Sequence, residues 1–135
     1  MNAFRIPQGR YEITARLDDR VRALSRAKPR VNQTAFPIFA FVGALGGMGL
    51  KIKDLSEALG LAFDLGPVLA RSRLSFAAPL LVDRVYAVDA DIDMLVNKPS
   101  RTYGTADHLH LAIRLSTEKL HSTARLHIIF PGRQE

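Results

Sequence analysis

The stretch Pro37-Ile38-Phe39-Ala40-Phe41-Val42-Gly43-Ala44-Leu45-Gly46-Gly47-Met48 contains no charged residue. Proline suits the first position of a helix, so the run is predicted to be a helix opening at Pro37, with Thr34 or nearby backbone closing the turn. A helix without a polar face must be buried all round. That puts Phe39, Phe41, Val42 and Leu45 in the core. The small residues Ala40, Gly43, Ala44, Gly46 and Gly47 would let other backbone approach closely. Each interior glycine weakens an isolated helix by about 1 kcal/mol relative to alanine, so tertiary burial must hold this one in place.

Outward from this run the pattern changes twice. Downstream, Lys51 to Leu59 reads as a short amphipathic helix with Ile52, Leu55 and Leu59 inward and Gly60 as its stop. Upstream, Tyr11-Glu12-Ile13-Thr14 is strand-like, and Leu17 to Ala27 is a small helix with Leu17, Val21 and Leu24 on one face. Asp18 and Asp19 sit in its first turn, where the helix dipole favours them. Lys28-Pro29-Arg30 ends it, because the residue before proline avoids helical angles.

From Gly66 onward the period is two. Val68, Ala70, Ser72, Leu74 and Phe76 share a face opposite Arg71 and Arg73. Tyr86, Val88, Ala90, Ile92 and Met94 alternate with Asp89, Asp91 and Asp93. Leu109, Leu111, Ile113 and Leu115 alternate with His108, His110 and Arg114, and Ala124, Leu126, Ile128 and Phe130 with Thr123, Arg125 and His127. Such half-polar alternation indicates antiparallel strands with one face covered. Ala78-Pro79, Asn97-Lys98-Pro99-Ser100 and Ser116 to Lys119 supply the breaks. If the strands neighbour, the outer acids and bases form an exposed ladder worth about 0.2–1 kcal/mol per pair.

One apolar helix followed by four long strands describes an α+β chain in which a curved antiparallel sheet wraps a buried central helix, the hotdog arrangement. A chain of 135 residues without repeat or linker reads as one such domain, 1–135. An open sheet edge needs a partner, so at least a dimer is expected. With 47% hydrophobic and 24% charged residues the composition is that of a globular protein. No cysteine is present, which excludes disulfides, thiolate chemistry and Cys-ligated zinc. The histidines and acids show no ligand spacing for a metal. The uncharged run Ala35 to Leu50 is shorter than the roughly 20 residues of a membrane span, and Met1 to Pro7 lacks a leader's apolar core. The expected setting is the cytoplasm, away from membranes. Eight of the basic residues lie in the first thirty positions, against Glu12, Asp18 and Asp19. Few aromatic groups accompany them, which argues against nucleic acid.

The run Phe36 to Gly49 resembles the central helix of MaoC-like acyl dehydratases. Gly66 to Leu80 is similar to that family's following strand, and Ala78-Pro79-Leu80-Leu81-Val82-Asp83 to its turn. Lys98-Pro99-Ser100-Arg101 with Asp107-His108-Leu109 resembles the non-catalytic N-terminal halves of the (R)-specific enoyl-CoA hydratases. The resemblance spans Tyr11 to Pro131. It implies a hotdog protein handling enoyl or 3-hydroxyacyl thioesters of coenzyme A or acyl carrier protein, with no other cofactor.

The family's catalytic signature is an Asp followed by Asn-Pro-x-His on a loop before the helix, because water must be activated while a proton is delivered next door. The corresponding Arg26-Ala27-Lys28-Pro29-Arg30-Val31-Asn32-Gln33-Thr34 has neither aspartate nor histidine. Family members also use a backbone N–H at a His-Gly pair to polarise the thioester carbonyl. Phe36-Pro37 stands there instead, and proline has no N–H. The resemblance therefore implies a non-catalytic subunit of a heteromeric hydratase or dehydratase, shaping the acyl and coenzyme A site of a catalytic hotdog partner. Asn32, Lys98 and Arg101 are the candidate substrate-binding residues, the two cations for phosphates. Asp107 is the reserve catalytic acid. It cannot act with His108, since strand neighbours point to opposite faces. A homo-oligomeric hotdog thioesterase and a non-enzymatic acyl-thioester binder are the other two possibilities.

Overall fold

The computed structural model describes residues 4–132; Met1 to Ala3, part of the segment read above for a leader, lie outside the described residues. The chain runs β1 (Gly9–Ile13), α1 (Ala15–Leu24), α2 (Phe39–Gly47), α3 (Ile52–Leu59), a short 3-10 turn (Phe63–Leu65), then β2 (Val68–Phe76), β3 (Arg84–Ser100), β4 (Gly104–Ser116) and β5 (Leu120–Pro131). The strands form a single sheet in the order β1-β3-β4-β5-β2, antiparallel throughout. The two strands made first are its two edges. No helix among the described residues is long and apolar enough to cross a membrane.

The inner face carries the alternating residues of β3, β4 and β5 that the sequence pattern selects. Tyr86, Val88, Leu109, Leu111, Ile113, Leu115, Ala124, Leu126 and Phe130 are all buried there. Helix α2 lies across this face. Its contact is close enough to require glycine: a Cβ on Gly47 would fall 2.7 Å from both the Tyr11 Cβ and the Val88 Cγ2. Phe39, Ala40, Gly43, Ala44 and Gly47 are buried, whereas Phe41, Val42 and Leu45 are only partly so. The expected all-round burial is thus halved, because one sheet face and its short neighbours cover one side of the helix. Pro37 also precedes the helix instead of opening it, since Ile38 is the N-cap.

Helix α1 is shorter than expected. Thr14 Oγ1 accepts the Leu17 N–H at 3.0 Å as its N-cap. The helix ends at Leu24, which is 78% exposed and not on the inward face. Gly60 closes α3 in the left-handed region at φ 74°, as its position in the sequence implied.

The β2–β5, β3–β4 and β4–β5 pairings each carry a register shift, and the first two change the strand alternation. Ala70 is the extra residue between Leu69 and Arg71 of β2, so Val68 does not share a face with Leu74. Asp93 is the extra residue between Ile92 and Met94 of β3. Met94 therefore pairs with His110 on the outer face and is 50% exposed, not in line with Tyr86 and Val88. Strand β3 also continues through Asn97-Lys98-Pro99-Ser100, where a break was expected. Because β1 covers only Arg84 to Val88, the rest of β3 is an edge, where proline is tolerated.

Candidate functional site

The approach to α2 is held by a charge network. Asp18 is fully buried, and its carboxylate accepts the Arg22 Nε–H at 2.7 Å, an Arg30 Nη1–H at 3.0 Å and the Phe36 N–H at 2.6 Å. Burial alone would raise its pKa, but the Phe36 N–H and the two guanidiniums together hold it below the ordinary carboxylate value. Arg22 also donates to the Thr34 carbonyl and sits over the Phe36 ring, 5.1 Å from its centroid. Asn32 occupies the left-handed region at φ 56°, and its Oδ1 accepts both the N–H and the hydroxyl of Thr34 at 2.9 Å. Asparagine is among the few side chains that tolerate that angle. The residues from 25 to 36 are therefore tied down at several points.

The segment after β2 closes the other wall. The Ala35 N–H donates to the Leu80 carbonyl and the Val82 N–H to that of Gln33. Tyr86 Oη accepts the Leu81 N–H at 2.8 Å. His121 Nδ1 donates to the Pro79 carbonyl at 2.9 Å while its Nε2 meets Thr117 Oγ1 at 2.8 Å. Between the two walls lies a cleft of about 350 Å³ bordered by Thr34, Ala35, Pro37, Phe76 and Ala77 to Leu80. It has no ionisable lining. Such a cleft suits an apolar group and offers no acid or base to it.

Donors are equally scarce. Of the N–H positions from Phe36 to Ala40, the first is spent on Asp18 and Pro37 has none. Those of Phe39 and Ala40 bond back to the Phe36 and Pro37 carbonyls, leaving that of Ile38. An oxyanion hole ordinarily converges more than one donor on the developing charge.

The candidate residues from the sequence do not gather in one chain. Asn32 lies at the α2 end. Lys98 and Arg101 lie at the β3–β4 hairpin, at the end of β3 opposite Arg84. Asp107 lies opposite Phe130, and its carboxylate accepts the Asn97 amide at 2.9 Å. His108 pairs with Ile129 on the other face, as strand alternation requires.

On the outer face Arg114 bonds Asp91 at 2.5 Å and Arg125 bonds Asp93 at 3.2 Å, so the expected acid–base ladder forms in part. Asp89 instead accepts from the Gln8 amide. His108 Nδ1 meets His127 Nε2 at 2.8 Å, and His110 stacks on His127 with ring centroids 4.1 Å apart. Burial, then the nearby charges of Lys98 and His110, lower the His108 pKa; burial and the neighbouring imidazoles lower that of His127. No group of three or more His, Cys, Asp or Glu among the described residues could hold a metal. Sequence reasoning missed Asp18, Tyr86 and His121. Only Asp18 had a signal, the helical i,i+4 spacing to Arg22.

No protein-family model matches the chain, and no curated protein matches it by sequence. Solved structures do. The C-terminally truncated HadBC (3R-hydroxyacyl-ACP dehydratase) complex from Mycobacterium tuberculosis is similar at TM-score 0.66 and 14% identity, over 95% of this chain and 98% of that one. The ChsH1-ChsH2 complex from the same organism is similar at TM-score 0.64 and 16% identity, over 96% and 85%. A probable thioesterase from Bartonella henselae is similar at TM-score 0.62 and 11% identity, over 96% and 99%. The chain has the hotdog fold. Within a hotdog, α2 is the wrapped helix and β2 a free edge, exposed along almost its whole length.

Proposed function

We propose that this hotdog chain is the non-catalytic subunit of a heteromeric enoyl-thioester hydratase or 3-hydroxyacyl-thioester dehydratase. The observation that carries the reading is the state of Asp18. It is the carboxylate tied to the approach to α2, and two guanidiniums and a backbone N–H already occupy it. A base engaged in this way cannot activate water, and the cleft beside it is apolar.

The acid–base pair comes from a second hotdog chain in the cytoplasm, joined through an open sheet edge such as β2. Asn32, Lys98 and Arg101 serve substrate from this side, the last two as cations for coenzyme A or carrier phosphates, with no cofactor besides the thioester carrier. Because Asn32 and the cations stand far apart in one chain, they meet different parts of the bound thioester or different copies. Two of the similar structures are complexes of paired chains, which supports a partner of the same fold.

The test is turnover of trans-2-enoyl-CoA and of an enoyl carrier-protein thioester. The chain purified alone gives none; the complex isolated with its co-purifying hotdog chain hydrates one of them. Robust turnover by the isolated chain, lost on Asp107→Asn, overturns the reading and favours a self-sufficient enzyme.

A further inference from the structure

We propose that the outer sheet face carries a binding site for a phosphate-bearing small molecule, centred on Arg71 and Arg73. It lies on the face opposite the α2 cleft and is independent of the reaction proposed above.

The site begins with the two bulges. Ala70 and Asp93 are extra residues on strands that flank β4 and β5, at the level of Arg71–His127 and Met94–His110. A bulge bends its strand and increases its twist. Between them the outer face holds a depression of about 260 Å³, lined by Arg71, Arg73, His110, Arg125 and His127 and by one acid, Asp93. Small-molecule sites start near this size, at roughly 300 Å³.

The charge there is arranged against the stability of the sheet. Arg73 lies directly across from Arg125, and Arg71 from His127. Like charges directly opposite, here Arg73 and Arg125, are destabilising. Arg125 is neutralised by Asp93 at 3.2 Å. Arg71 and Arg73 have no acid partner among the described residues. The depression thus presents two guanidiniums with no acid partner among the described residues, carried by positions whose backbones are about 6.6–6.8 Å apart along one strand face. His108 and His127 are biased to the neutral form.

Two guanidinium forks beside imidazole donors match a phosphate monoester or a diphosphate, each of which can accept bidentate hydrogen bonds. The stacked His110 and His127 rings add a flat surface at the edge of the depression. A nucleotide diphosphate and an inorganic diphosphate share this chemistry. Pairing of another chain along the β2 edge uses backbone groups and leaves this face open.

The experiment is calorimetric titration of the full chain with inorganic pyrophosphate and with ADP at about 20 mM salt, where screening is weak. NMR of the histidine ring protons runs in parallel. Both ligands bind if the site is built as described, and the His110 and His127 signals move. Tighter binding of ADP assigns the rings to a base; equal binding assigns the site to the diphosphate alone. Arg71→Ala/Arg73→Ala weakens both by about tenfold or more. Its Tm in the absence of ligand does not fall, because like-charge repulsion is removed. The proposal is overturned by absent heat and unmoved histidines at millimolar ligand, or by unchanged affinity in the folded double variant. Tighter binding of a hexaglutamate peptide than of either phosphate also overturns it, assigning the face to an acidic protein.

Discussion

Replacing Asp18 by asparagine removes one negative charge from a buried site and leaves the shape intact. The carboxylate accepts three hydrogen bonds, two of them from guanidiniums. Hydrogen bonds to charged groups contribute about 1.5–3 kcal/mol each before the desolvation of the carboxylate is subtracted. Breaking a buried pair by removing one partner costs about 3–5 kcal/mol, because the other charge is left uncompensated. Asparagine keeps one acceptor and turns an amide N–H₂ toward a guanidinium, so we expect Asp18→Asn to lose about 3 kcal/mol. Urea titration measures it, with an unchanged slope showing that only stability moved. The pH dependence gives a second check. The folded-state pKa of Asp18 lies below its ordinary value of 3.8. Its contribution is therefore complete above that value and is lost as pH falls through the folded pKa. The gap between wild type and Asp18→Asn should be full at pH 7 and close on strong acidification. A gap of less than about 0.5 kcal/mol at pH 7, the size of an exposed ion pair, would refute the network as the anchor of the loop.

Phe39→Ala should cost about 3–5 kcal/mol, since that ring is fully buried, and Phe41→Ala less than half as much; equal losses in denaturant would contradict the one-sided burial of α2. Tyr86→Phe strands the Leu81 N–H and should cost about 1–2 kcal/mol by the same titration, with a neutral result disproving the hydrogen bond as a fastening. The pKa values of His108 and His127 are lowered from 6.5, so the unfolded chain takes up protons first. Stability should fall as pH drops below 6.5 and level off below the folded pKa values, and His108→Gln/His127→Gln should flatten that decline in a Tm-versus-pH series.

The periodicity of β4 and β5 identifies their inner faces residue by residue, because an unbroken alternation has only one way to bury Leu109 to Leu115 and Ala124 to Phe130. The same logic misplaces Met94 and Val68. A bulge adds a residue without changing composition, so Ala70 and Asp93 look like any other strand positions. The uncharged run shows where α2 lies but not how much of it is covered, since coverage depends on the size of the sheet and its neighbours. At the site, missing acid and base groups are legible as an absence between Arg26 and Thr34. The role of Asp18 is not, because the same residue serves a helix N-terminus equally well, and only the fold brings Arg30 and Phe36 to it.

The strand order has a consequence for a chain growing from its N-terminus. Strand β1 pairs only with β3, and β2 only with β5, so neither finds its place when it is made. Strand β1 waits until Val88 completes its partner segment of β3, and the β3–β4 hairpin follows, complete at Ser116. Strand β2 ends at Phe76 and its partner at Pro131, 55 residues later. At about 5–20 residues per second the wait is roughly 3–11 s. Throughout that interval Val68, Leu69, Leu74 and Phe76 stand on a strand with no neighbour. The arginines interleaved with them, Arg71 and Arg73, then act as repellents between nascent chains, keeping β2 from pairing with another copy before β5 exists.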